Sequence, residues 1–141
     1  MAVTYDTDMI RTINMFESVT GVEAIHAIVE DEEAYFIVPE GKAGMAIGKG
    51  GETVKKLQRN MDKNVKIYEY SDNIGKFLNN LVPTNIRGVN IEGQDGDGPI
   101  TVEINVPSEN KGRVVGRDGK KIESIRHILK RTHNVDEVTV N

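Results

Sequence analysis

Two four-residue motifs that begin and end with glycine are the candidate binding elements of this sequence. They read Gly-Lys-Gly-Gly at 48–51 and Gly-Arg-Asp-Gly at 116–119. Glycines at the ends of a loop let a sugar-phosphate backbone approach main-chain N–H groups closely, and the start of a following helix attracts phosphate. Lys49 and Arg117 each add a mobile positive charge. The motifs therefore predict two phosphate-binding loops, whose contacts position a nucleic acid without identifying its bases.

The basic residues of the chain are concentrated around these two motifs. Residues 42–66 hold seven Lys or Arg against two acidic residues, a local charge of +5, and residues 111–131 hold eight against two, a local charge of +6. The rest of the chain carries −15, although the net charge of all 141 residues is only −4. Because local potential decides where a polyanion docks, the acidic average does not argue against a nucleic-acid partner.

The motifs belong to a longer internal repeat. A shift of 68 residues aligns, without a gap, the residues that set backbone geometry: Pro39 with Pro107, Gly44 with Gly112, Gly48 with Gly116 and Gly51 with Gly119. A period of this length indicates duplicated domains and not a solenoid. We therefore expect one domain over residues 1–70 and a second over residues 71–141. No Pro- or Gly-rich linker separates them, so we expect the two domains to be packed together.

Each copy predicts the order helix–strand–strand–helix–helix–strand. In the first, apolar residues at helical spacing follow the capping candidates Asp6 and Thr7, and Gly21 is the predicted stop. The later elements are strands over 22–29 and 34–38, a short helix over 42–47, a helix whose inward face is Val54, Leu57 and Met61, and a strand from Val65.

The second copy shows the same order more clearly. Its first helix is capped by Ser71 or Asp72 and ends near Pro83, and a hairpin connection lies at 93–98. The other predicted features are an alternating strand with Ile100, Val102, Ile104 and Val106 inward, a helix lined by Ile122, Ile125 and Leu129, and a strand over 135–140.

The helix pair in each copy is long enough to connect two parallel strands. The strand before the pair and the strand after it can therefore lie side by side. This places three helices on one face of a three-stranded sheet, so the predicted fold class is α+β.

The segments IGKGGETVKKL at 47–57 and VGRDGKKIESI at 115–125 resemble the signature of the KH domain, whose GxxG loop clamps about four nucleotides of single-stranded nucleic acid. The helix-first order is similar to the type II KH arrangement, and two such domains in succession resemble the archaeal NusA-like family. The resemblance implies two tandem type II KH domains that bind nascent, single-stranded RNA during transcription elongation or termination. The RNA-binding residues that it implies are Gly48, Lys49, Gly50, Gly51, Lys55, Lys56, Gly116, Arg117, Asp118, Gly119, Lys120 and Lys121.

The second loop departs from the strongest family pattern. Asp118 places a carboxylate where a phosphate should pass. We therefore expect the second site to bind RNA more weakly than the first, or to offset Asp118 with Arg117, Lys120 and Lys121.

Several functional classes are disfavoured. The chain has no Cys, which rules out a thiol nucleophile or a cysteine-ligated metal, and no acid–base constellation is recognisable. We expect no enzymatic activity, no cofactor and no metal. The N-terminus lacks the features of a secretory signal and no segment has about 18 uninterrupted apolar residues, so we expect a cytoplasmic monomer that does not enter a membrane.

Two alternatives stay open. A ribosome-assembly or small-subunit-associated KH protein would use the same loops on ribosomal RNA. A protein-interaction scaffold with degenerate KH folds would not retain RNA, and its acidic surface could contact a basic partner. RNA polymerase is a further candidate partner in the NusA-type interpretation.

Overall fold

The computed structural model describes residues 7–82, 84–96 and 98–141. The chain divides into two compact units, Met1–Ser71 and Asp72–Asn141, each of which has its own sheet. In the described residues, no helix is both long enough and apolar enough to cross a bilayer.

The first unit has the predicted element order. Its elements are α1 (Thr7–Thr20), β1 (His26–Val29), β2 (Glu33–Val38), α2 (Ala43–Ile47), α3 (Glu52–Met61) and β3 (Asn64–Glu69). The sheet order is β1-β2-β3, in which β1 is antiparallel to β2 and β2 is parallel to β3. The expected parallel pairing across the helix pair is therefore confirmed.

The core of the first unit lies between its helices and one face of the sheet. Phe16 of α1 stacks on Phe36 of β2 with ring centroids 4.2 Å apart, and both side chains are fully buried. Ala46 of α2 and Leu57 of α3 join the same cluster. The other sheet face also carries buried side chains: Ile28, Tyr35 and Ile37. Ala46 is the only fully buried residue of α2, so most of this short helix lies near the surface.

Two expectations for the first unit differ from the structure. The first strand begins at His26 and not at Val22, because the chain turns after α1: Gly21 has φ +73°, and the N–H of Val22 donates to Thr20 Oγ1 at 3.0 Å. Ile10 shares the helical period of the apolar residues but is 49% exposed. The capping candidate Asp6 lies outside the described residues.

The second unit repeats this topology. Its elements are α4 (Ile74–Leu81), β4 (Gly88–Glu92), β5 (Thr101–Asn105), α5 (Lys111–Val115), α6 (Lys120–His133) and β6 (Glu137–Val140). Strand β4 is antiparallel to β5, and β5 is parallel to β6. Along β5, Val102 and Ile104 are buried while their neighbours are half-exposed, which confirms the predicted alternation.

The ends of two elements in the second unit were predicted wrongly. The cap of α4 is Asn73, whose Oδ1 accepts the N–H of Lys76 at 3.0 Å, and not Ser71 or Asp72. Strand β6 begins at Glu137 and not at 135, because α6 runs for 14 residues and ends at Asn134 in a left-handed conformation. Pro83, the expected stop of α4, lies outside the described residues.

Candidate nucleic-acid interface

The two glycine loops have the same backbone geometry. The first glycines, Gly48 and Gly116, have φ/ψ of 81°/165° and 76°/173°. The third positions, Gly50 and Asp118, have 63°/17° and 56°/25°. The last glycines have 75°/15° at Gly51 and 73°/12° at Gly119. The two units therefore contain the same loop backbone at equivalent places, although the side chains of the loops differ.

The first glycine of each loop cannot be replaced without strain. A positive φ combined with an extended ψ is accessible almost only to glycine. A Cβ atom at Gly48 would also lie 2.9 Å from the backbone nitrogen of Thr53, and one at Gly116 would lie 2.9 Å from that of Lys121. The first glycine of each loop thus packs against the second residue of the following helix, Thr53 or Lys121, whose side-chain atoms would lie even closer to the added Cβ than its nitrogen.

The third position of the loop explains how Asp118 is tolerated. The left-handed region is disfavoured for most side chains, but Asp and Asn visit it more readily than other residues. Asp118 has φ +56°, and a Cβ atom added to Gly50 would meet nothing within 4 Å. The backbone therefore accepts Gly or Asp here, and the difference between the two loops is one of charge.

Both loops are open to a ligand. Lys49, Gly50, Arg117 and Asp118 are exposed. No side chain caps the start of α3 or the start of α6, whose first residues follow Gly51 and Gly119 directly. The N–H groups of Glu52 and Lys120 donate to the carbonyl oxygens of Lys49 and Arg117, so an anion can contact only the later N–H groups of the first turn, where the helix dipole would also favour it.

The basic residues around the loops divide into two groups. Lys63 Nζ donates to the carbonyl oxygens of Glu30 and Asp31 at 2.7 and 2.6 Å, and Lys130 pairs with Asp136 at 2.9 Å. Arg126 bonds to Glu123 and to the carbonyl of Val138. The local charges of +5 and +6 thus overstate what an external polyanion meets.

The remaining group lies close to the loops in sequence. Ten of its members are exposed, and within the part of the chain that is described their side chains have no hydrogen-bond or ion-pair partner: Lys42, Lys49, Lys55, Lys56, Arg59, Lys66, Lys111, Arg113, Arg117 and Lys120. Lys121 is half-buried. These side chains give each loop a local positive charge that the fold does not neutralise.

The described residues contain no group of three or more His, Asp or Glu side chains arranged to hold a metal ion. The open loops, the helix N-termini and the exposed Lys and Arg side chains together form a site suited to anion binding.

Comparisons with known proteins agree with this geometry. A family model described as "KH domain" matches residues 12–92, and one described as "KhpA/KhpB, KH domain" matches residues 71–141. A protein of Methanocaldococcus jannaschii named probable transcription termination protein NusA is 36% identical over 135 residues, which are 95% of this chain and 73% of that protein. The chain belongs to the archaeal NusA-like family of tandem KH-domain proteins.

Other relatives of this NusA-like protein are similar over almost their whole length. The probable transcription termination protein NusA of Halococcus morrhuae is 32% identical over 139 residues, 98% of each chain. A crystal structure of a protein called APE1850 matches with a TM-score of 0.85 and 33% identity, covering 97% of this chain and 100% of that one. The KH domains and these relatives together support an RNA-binding, NusA-like function for this protein.

Proposed function

We propose that this NusA-like protein is a transcription elongation or termination factor that holds nascent, single-stranded RNA in two GxxG loops. The single observation that carries the proposal is the pair of open loops with matching torsion angles, each followed by an uncapped helix. We also propose that the protein acts in the cytoplasm as a non-catalytic monomer, and that its two functional domains are residues 1–70 and 71–141.

Each loop would hold the backbone of about four nucleotides. The N–H groups at the start of α3 or α6 would donate to a phosphate, and Lys49 or Arg117 would neutralise its charge. The exposed lysines Lys55, Lys56 and Lys120 would contact neighbouring phosphates. Gly50 adds no side chain to this path, whereas Asp118 adds a negative charge.

The direct test replaces the two central residues of the first loop with aspartate. Lys49→Asp with Gly50→Asp removes one positive charge and adds two negative ones. The position of Gly50 is equivalent to that of Asp118, so the loop backbone accommodates an Asp there. Because a hydrogen bond to a charged group contributes about 1.5–3 kcal/mol, we expect the dissociation constant for single-stranded RNA to rise at least about tenfold in an anisotropy titration. Thermal unfolding should show an intact fold.

A charge-matched control separates loop binding from a general loss of positive charge. Lys76→Asp with Asn79→Asp changes the net charge by the same amount on exposed positions of α4, outside both basic segments. This control should change the dissociation constant by less than about twofold, since neither position lies in a glycine loop or a basic segment and salt screens exposed charges outside the binding site. Equal losses in both variants, or no loss in the loop variant, would refute the proposal.

The second loop provides the comparison between sites. Arg117→Asp gives it the same Gly-Asp-Asp-Gly sequence as the altered first loop. We expect a smaller loss of RNA affinity than in the first-loop variant, because Asp118 already weakens this site. A larger loss would invert the proposed ranking.

The cellular role requires a separate measurement. Crosslinking followed by sequencing of the bound RNA should recover transcripts spread over many genes if the protein acts during transcription. A single ribosomal-RNA peak would instead favour ribosome assembly. Retention of RNA polymerase without RNA would favour the scaffold function, and retention with RNA would add the polymerase as a second partner.

A further inference from the structure

One edge of the second sheet is formed by β4. The strand order is β4-β5-β6, so only β5 pairs with β4. The carbonyl oxygen of Ile104 in β5 accepts the N–H of Asn141, the residue after β6, so the backbone groups of Ile104 point toward β6. Because these groups alternate sides along a strand, those of Glu103 point toward β4.

This alternation determines which backbone groups of β4 face outward. Glu103 is paired with Asn90, so the N–H and C=O of Asn90 belong to the ladder with β5. The N–H and C=O groups of Val89 and Ile91 therefore point away from the sheet. No described residue forms a hydrogen bond with them on that side, and both residues are half-exposed. An added strand would thus find four backbone groups to pair with.

The equivalent edge of the first sheet is closed. Val89 is paired with Ile104, the 68-residue shift aligns Ile104 with Phe36, and the partner of Phe36 is Ala27 of β1. Ala27 is fully buried, so a further strand cannot pair with it. Strand β4 also lacks the residues that commonly protect an edge, because its sequence GVNIE contains no Pro and no Lys.

The sheet face that carries the polar side chains of β4 is acidic. The register of the three strands places Glu92, Glu103 and Glu137 on this face. All of its strand positions are described, and none of them holds Lys or Arg. An open groove of about 560 Å³ is lined by all three strands and includes these glutamates. The face therefore attracts cations and repels the phosphates of RNA.

A strand added beside β4 would meet a different environment on each face, because its side chains alternate. On the face that the helices cover, every second residue would lie beside Val89 and Ile91, whose half-exposed side chains favour an apolar, β-branched neighbour. On the acidic face, the intervening residues would lie beside Asn90 and Glu92, which favour Lys or Arg. The segment that fits alternates apolar and basic residues.

We propose that β4 is a docking edge for a partner protein, which adds an extended segment of alternating apolar and basic residues to the second sheet. Main-chain hydrogen bonds to Val89 and Ile91 hold the segment, and the glutamates of the acidic face select its charge. The docking edge uses none of the residues assigned to RNA binding, so this inference goes beyond the proposed function.

A peptide of about seven alternating valine and lysine residues, labelled with a fluorophore, tests the proposal on the full chain by anisotropy. Two further forms carry N-methyl groups, one at its valine nitrogens and the other at its lysine nitrogens. Only alternate N–H groups of an added strand face its neighbour. One methylated form should therefore bind at least about tenfold more weakly than the unmodified peptide, and the other within about threefold. All three peptides have the same charge, so general attraction to acidic residues affects them equally.

The charge and the position of the site have their own measurements. A peptide with glutamate in place of lysine should bind at least about tenfold more weakly than the valine–lysine peptide. Amide hydrogen exchange at Val89 and Ile91 should slow when the valine–lysine peptide is added, because their N–H groups become bonded.

A substitution in β4 should remove binding without removing the fold. Ile91→Pro deletes an N–H on the open edge and leaves the pairing with β5 intact, so the protein should still unfold cooperatively while its affinity for the valine–lysine peptide falls at least about tenfold. The control is Lys49→Asp with Gly50→Asp, which should bind this peptide within about threefold of the unmodified chain. The same variant should lose RNA affinity if the proposed function is correct.

The proposal is overturned if the valine–lysine peptide does not bind, if the two methylated forms bind within about threefold of each other, or if exchange at Val89 and Ile91 is unchanged. Displacement of the peptide by single-stranded RNA would also overturn it, because RNA would then be the ligand of this face. These measurements need no variant, so they decide the matter even if Ile91→Pro does not fold. A failure here leaves RNA binding by the loops unaffected.

Discussion

At the scale of single residues, the conformation of each loop glycine decides what can replace it. Gly48 and Gly116 lie in a region of φ/ψ that costs other residues about 1–3 kcal/mol, and an added Cβ would also press on a backbone nitrogen. We predict that Gly48→Ala and Gly116→Ala each lower the free energy of unfolding by more than about 2 kcal/mol in urea denaturation.

A matched pair of glycines provides the control. Gly44 and Gly112 lie inside α2 and α5, and an added Cβ would meet nothing within 4 Å at either. Gly44→Ala and Gly112→Ala should be neutral or stabilise the protein by up to about 1 kcal/mol. If all four substitutions behaved alike, the backbone explanation would be wrong.

Asp118 allows the charge of the second loop to be changed without changing its shape. Asn adopts the left-handed conformation as readily as Asp, so Asp118→Asn should preserve the loop while removing the carboxylate. We predict a few-fold tighter binding of single-stranded RNA and an unchanged unfolding temperature. Weaker binding would mean that the carboxylate assists the RNA.

Among the elements, α4 is capped by Asn73, which follows the two predicted caps, Ser71 and Asp72. Asn73 Oδ1 accepts the N–H of Lys76. We predict that Asn73→Ala costs about 1 kcal/mol of unfolding free energy, while Asn73→Ser costs much less, because a serine hydroxyl can accept the same N–H. Asp72→Ala should change the unfolding free energy little. If it lowered that free energy as much as Asn73→Ala does, Asp72 and not Asn73 would be the cap.

The connection between α6 and β6 contains an acid-sensitive contact. The hydrogen bond from Lys130, and after it the N–H of Ile100, lowers the pKa of Asp136 below its ordinary value of 3.8. A lowered folded-state pKa stabilises the protein above pH 3.8, and the stabilisation is lost as the pH falls through the folded-state pKa.

Asp136→Asn should therefore unfold at a lower urea concentration than the unmodified protein at neutral pH. The difference between the two midpoints should shrink as the pH falls below 3.8. A difference that grows in acid would contradict the sign of the pKa change.

At the scale of the whole molecule, two loops on one chain should respond to the length of the RNA. Under the proposed function, a strand of about four nucleotides would occupy only one loop, whereas a longer strand would engage both and gain from the effective concentration of the second site. We predict that affinity rises at least about tenfold between RNAs of about five and about fifteen nucleotides.

Disabling either loop should remove most of this gain. The proteins to compare are the unmodified chain, the Lys49→Asp with Gly50→Asp variant and the Arg117→Asp variant. A longer strand also offers more starting positions for a single loop. This statistical effect raises the affinity only a few-fold, and it does so equally in all three proteins. If the full length dependence survived in both variants, the two loops would not share one strand.

Much of the fold followed from local patterns. The 68-residue repeat, the helical spacing of residues such as Ile122 and Ile125, and the alternation along β5 predicted the element order of both units and the parallel strand pairs. These patterns were sufficient because periodicity records which face of each element is buried. The equivalence of the two glycine motifs was also visible in the sequence, since glycine marks positions where the backbone needs unusual torsion angles.

Tertiary structure decided which side chains remain available. In the sequence, Lys63 and Lys130 count toward the positive charge of the two basic segments. In the structure, Lys63 donates to two carbonyl groups of the β1–β2 connection and Lys130 pairs with Asp136. Met45 looks like one more apolar helix residue, yet burial of Ala46 leaves it exposed beside the first loop. Such partners and exposures depend on residues that are distant along the chain, so composition and spacing could identify the two loops but not the surfaces that adjoin them.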